Sequence, residues 1–72
     1  MPNPGALAQR LRSLLPELEY SRETHVQWRD CPQWHRDRNP EIGDTNFHAQ
    51  VVLVYDERIE AIKQTIDYLE SC

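Results

Sequence analysis

The most continuous apolar stretch of the chain, Val51-Val52-Leu53-Val54-Tyr55, is short and mostly β-branched, which predicts a buried strand. After Asp56 the period changes. Ile59, Ile62, Ile66 and Leu69 recur at 3-4-3 spacing, with Lys63, Gln64, Asp67 and Glu70 between them, so an amphipathic helix is expected to follow a sharp turn at Tyr55-Asp56. Its four apolar positions also match a heptad seam, although two heptads are too few to specify a coiled coil.

Upstream, Asn3-Pro4 has the chemistry of an N-cap followed by proline at the first helical position. Leu7, Leu11, Leu14 and Leu15 give that helix an apolar stripe. It is expected to stop before Pro16, which lacks the amide hydrogen needed to continue the ladder. Between Leu18 and Trp28 the pattern alternates, with Leu18, Tyr20, Val26 and Trp28 on one face and Glu19, Glu23, His25 and Gln27 on the other, the signature of a strand.

The two strands are expected to pair as an antiparallel ribbon, Trp28 opposite Phe47, Val26 opposite Ala49, Thr24 opposite Val51 and Tyr20 opposite Tyr55. The expected fold is therefore one small α+β domain over residues 1–72, in the order helix, strand, long loop, strand, helix. Both helices lie on one face of a two-stranded ribbon. Leu53 and Ile62 are expected in the core. Val52 and Val54 fall on the opposite face of the second strand, which invites completion by a second copy of the chain, so a homodimer is expected.

Residues 29–45 form the irregular connection, long for a compact domain. Inside it, Cys31–Arg38 can form a short helix with Pro32 at its first position and Asn39-Pro40 ending it, and Gly43-Asp44 signals the turn into the second strand. Arg36, Asp37, Arg38 and Glu41 read first as a solvated, self-paired charge cluster. Trp34, with arginines beside it, has the composition of an interface, and Trp34, His35, Arg36 and Arg38 are the residues assigned to binding in the 31–43 loop.

Composition narrows the function classes. At 72 residues the chain has a marginal core, and natural domains of this size lean on a disulfide, a metal or a partner. The formal charge of −4, with no coherent basic surface, argues against nucleic acid as the partner. No stretch has the length and apolarity of a membrane span, so a cytoplasmic protein is expected. Glycine occurs only at Gly5 and Gly43, which excludes a glycine-rich phosphate loop, and no cofactor is expected. Cys31 and Cys72 make neither a disulfide framework nor a zinc motif.

These features point to a non-enzymatic accessory or regulatory protein that binds another protein through the 31–43 loop. The alternative is a small metal- or thiol-dependent protein. His25, Cys31, His35 and His48 offer four nitrogen and sulfur donors for a tetrahedral metal, and Cys31 next to Arg29 and His35 has surroundings that favour a thiolate.

Overall fold

A computed structural model of the chain describes residues 3–71; Cys72 lies outside them. Helix α1 spans Pro4–Arg29, a short helix α2 spans Gln33–Arg38, a single 3₁₀ turn covers Pro40–Ile42, and helix α3 spans Thr45–Glu70. The two long helices pack antiparallel as a hairpin of 53 × 15 × 15 Å, with α2 and the 3₁₀ turn forming its tip.

The α+β expectation is overturned, because the described residues contain no strand. The ribbon and its register do not exist: residues 18–28 belong to α1 and residues 46–55 to α3. The turn at Tyr55-Asp56 is absent for the same reason, since α3 runs through both residues without a break.

The packing pattern explains why helix wins. On α3 the inward positions are His48, Val52, Tyr55, Ile59, Ile62, Ile66 and Leu69, a 4-3 alternation; on α1 they are Ala8, Leu11, Leu15, Leu18, Arg22, His25 and Arg29. All fourteen positions are buried or half-buried. A repeat of 3.5 residues keeps one stripe of each helix against the other along their whole length. The isoleucine seam near the C-terminus thus extends back through the valine run, and tertiary packing overrides the β-propensity of Val51, Val52 and Val54. Only Val52 of the three enters the seam fully, whereas Leu53 is 62% exposed and is no core residue.

Pro16 does not end α1; the helix continues across it. Proline inside a helix removes one hydrogen bond and crowds the preceding turn, at a cost of about 3 kcal/mol. Here the leucine stripe resumes directly beyond it at Leu18, and Pro16 itself faces outward, so its ring takes no seam position. The helix start follows the expectation: the Asn3 side chain accepts from the Gly5 amide at 2.9 Å, with Pro4 in the first turn. Two interhelical ion pairs, Arg12–Glu70 and Arg22–Asp56, tie the legs near the open end and towards the tip. Both are solvent-exposed enough to contribute at most about 1 kcal/mol each, and they serve mainly to mark the register.

The seam makes a clear distinction between neighbours. Ile59→Ala is expected to destabilise the protein by about 2–5 kcal/mol, whereas Leu53→Ala, one step off the seam, should shift it by no more than about 0.5 kcal/mol. Urea unfolding followed by circular dichroism measures both. Equal losses would contradict the seam.

Candidate functional site

The tip begins where α1 runs out of partners for its last carbonyls. Pro32 has no amide hydrogen and its extended backbone turns the chain, so α2 starts afresh at Gln33. This short helix is held at both ends: Gln33 Nε2 donates to Asp37 Oδ1 at 2.9 Å, and Asn39 Nδ2 donates to the His35 carbonyl at 2.9 Å. Asn39 ends it, and Pro40 opens the 3₁₀ turn. Gly43 then reverses direction with φ +88°, a left-handed conformation that side chains rarely adopt, and Asp44 leads into a helix rather than a strand.

Arg36 organises all of this. It is 8% exposed, and its guanidinium donates to four carbonyls: Trp28 and Arg29 in the last turn of α1, Cys31 at 3.3 Å and Gly43 at 2.9 Å. The expectation that Arg36 is a solvated or partner-binding charge is corrected by that burial. Every helix leaves its last carbonyls without intrahelical donors and carries negative partial charge there. A planar cation with five donors satisfies both demands at once.

Trp34 and Arg38 lie on the outer side of α2. Trp34 is 61% exposed, with the Arg38 guanidinium 5.7 Å from its ring centre and the His35 ring edge-on at 5.4 Å. Of the four residues assigned to binding, three therefore form one cluster and Arg36 stands behind it as its support.

The four candidate donors part company. His25 and His48 meet, Nδ1 to Nδ1 at 2.9 Å, because both occupy the helix seam and not because they share a ribbon face. Cys31 precedes α2, half-buried, with its thiol 3.6 Å from the Pro32 carbonyl, and His35 faces Trp34. Among the described residues no group of three or more His, Cys, Asp or Glu is placed to hold a metal ion.

Proton positions in the histidine pair follow from its partners. His48, 1% exposed, points Nε2 at the Ile42 carbonyl, which can only accept. Neutral His48 therefore carries its proton on Nε2, presents a lone pair at Nδ1, and receives the Nδ1–H of His25. Trp28, Tyr55 and Phe47 enclose the pair at ring-centre distances of 5.2–5.9 Å, Trp28 and Phe47 packing edge-on against His48 and Tyr55 stacking on His25. Burial, and secondarily the neighbouring His48, hold the His25 imidazole below its ordinary pKa of 6.5.

Sequence reasoning missed a second feature. Phe47, Gln50, Val51, Val54, Tyr55 and Arg58 line a shallow groove of about 280 Å³ along α3. A larger open groove of about 450 Å³ lies between Arg12, Leu15, Pro16 and Glu19 of α1 and Lys63, Ile66 and Asp67 of α3. The spacing Phe47, Val51, Val54 repeats the seam spacing one residue earlier, a signal present in the chain but masked by reading the run as a strand. Among the described residues no helix is long and apolar enough to cross a membrane. No family model matches the chain, and neither a curated protein nor a solved structure matches it.

Two measurements probe the tip. Arg36→Ala should cost about 2 kcal/mol, since it removes a charged donor from four part-buried bonds. Arg36→Lys, which keeps the charge but not the fork, should recover less than half of that; full recovery in denaturant titrations would mean that charge alone matters. The pH dependence has a fixed sign. A histidine whose folded pKa is depressed leaves stability intact above the unfolded value of about 6.5, and stability falls as pH drops below it, because the unfolded chain takes up a proton that the folded chain resists. The melting temperature should decline between pH 7 and 5.5, and His25→Gln should flatten that decline. An unchanged slope in the variant would place its source elsewhere.

Proposed function

We propose that this protein acts without catalysis, by binding another protein through the tip of its hairpin, with Trp34 as the anchor and His35 and Arg38 beside it. The observation that carries this reading is an aromatic side chain left 61% exposed on a segment that is otherwise tightly fixed. Exposed tryptophan on a mobile loop must be ordered when it binds, at about 0.5–1.5 kcal/mol per side chain, whereas here Arg38 and His35 already hold the ring. Tryptophan and arginine are also the residue types enriched where interfaces concentrate their binding energy. Arg36 contributes by fixing α2 on the end of α1, and its place is structural.

The experiment installs a photo-crosslinking residue at Gln33 in the full chain, expressed in its native host, with and without Trp34→Ala. A discrete adduct that disappears with Trp34→Ala, while the melting curve stays within about 0.5 kcal/mol of the parent, is the expected result. An adduct indifferent to Trp34, or none at all, would overturn the tip as the binding surface.

A further inference from the structure

We infer that a second copy of this chain covers one long side of the hairpin, giving a homodimeric bundle of four long helices. In an antiparallel helix pair, the residues that immediately precede the seam positions on both helices lie on the same side of the pair, because the helices share a hand but run in opposite directions. On α1 those positions include Leu7, Leu14 and Trp28; on α3 they include Phe47, Val51 and Val54. Leu14, Trp28, Phe47 and Val54 are exposed, Val54 at 43%. Both legs therefore show apolar residues in the same direction, interrupted on α1 by Arg10, Glu17, Ser21 and Thr24, and α3 offers its groove there.

The residues that follow the seam form the opposite side, where Glu19, Glu23, Glu60 and Asp67 outweigh Arg12 and Lys63. Two copies meeting through that side would set acid against acid. Meeting through the apolar side carries no such penalty, since its charges are few and of both signs, Arg10 and Arg58 against Glu17.

The area fits one occupant of this size. A compact monomer of 8.5 kDa has a surface of about 4,650 Å². The hairpin exposes 5545 Å², so roughly 900 Å² remains in excess. A stable dimer of standard size buries about 800 Å² on each partner. The radius of gyration says the same: 16.4 Å, against about 11 Å for a compact chain of this length. Two rods laid side by side remove the excess, and helices that bury a stripe on two adjacent faces are what such a bundle requires. Trp34, on α2, is not among the residues assigned to this side.

Sedimentation of the wild-type chain at 100 µM should give twice the mass of 8.5 kDa, and its melting temperature should rise between 1 and 100 µM as mass action demands. Hydroxyl-radical footprinting of the same samples should show Trp28 protected as concentration rises and Trp34 unchanged. Val54→Glu should shift the mass to the monomer, while Leu53→Glu, exposed on the acidic side, should leave the dimer. A monomeric wild type with a cooperative melt at 100 µM overturns the inference, as does a dimer lost in Leu53→Glu but kept in Val54→Glu. Should Val54→Glu fail to fold, footprinting of the wild type decides alone: protection of Trp28 supports the face and its absence refutes it.

Discussion

The fold depends on one buried cation. A helical hairpin must reverse direction within a few residues, and the reversal leaves the last carbonyls of the arriving helix without intrahelical donors. Arg36 meets that demand with one side chain, bonding to the last turn of α1 on one side and to Gly43, just ahead of α3, on the other. The negative end of the α1 dipole and the nearby Asp30 carboxylate both stabilise the guanidinium, so burial of its charge is offset. The link is therefore mechanical as well as electrostatic. It spans the two legs and the tip, beside the ring cluster of Trp28, Phe47 and Tyr55 around the histidine pair.

Further along, the hairpin is closed by a narrow seam. Among the described residues its buried apolar side chains are Ala8, Val52, Ile59 and Ile66, a small core for two helices of 26 residues each. An isolated pair of helices can bury only one stripe of each, whatever its sequence. Several apolar residues beyond that stripe, Leu14, Trp28, Phe47 and Val54 among them, are left facing outward along one side, with Leu53 on the other. The tip and the long side thus differ in kind. At the tip a single aromatic residue is presented by a rigid mount, whereas the side is a long strip in which apolar positions alternate with polar ones such as Arg10, Glu17, Thr24 and Arg58.

Some of this architecture was legible in the chain and some was disguised. Asn3-Pro4 announces the start of α1, and Ile59, Ile62, Ile66 and Leu69 announce the last half of α3, because each is a local signal that packing does not reverse. The break at Asn39-Pro40 and the turn at Gly43 are equally local. The strands were misread for a specific reason. Val51–Tyr55 looks like a buried strand because a helix with two adjacent apolar stripes also yields consecutive apolar residues, Val51 and Val54 serving one stripe and Val52 and Tyr55 the other. On α1 the seam passes through Arg22, His25 and Arg29, polar residues that interrupt the 3-4 rhythm and leave the chance alternation of Tyr20, Val26 and Trp28 more conspicuous. Pro16 then suggested a boundary that the leucines on either side override. At the site, the exposure of Trp34 follows from its lack of any periodic role, but the burial of Arg36 depends on carbonyls contributed from α1 and from Gly43, which no local pattern reveals.

Those polar seam residues bring a further consequence. A seam made only of leucine and isoleucine can slide by one heptad, about 10 Å along a helix, with little change in buried area. Arg22, His25 and His48 remove that freedom. The His25–His48 bond forms only when one lone pair faces one N–H, and His48 has its second nitrogen committed to Ile42 just before α3. Shifting either leg by a turn would leave a fully buried imidazole unpaired and would separate Arg22 from Asp56. Such pairs contribute little net stability, and their main effect is on which alignment is lowest. The histidine pair sits next to the tip, where an error of register would displace α2 and the carbonyls that hold Arg36. The seam supplies cohesion along the rod, the histidines select one alignment of it, and that alignment is what allows a single arginine to close the turn.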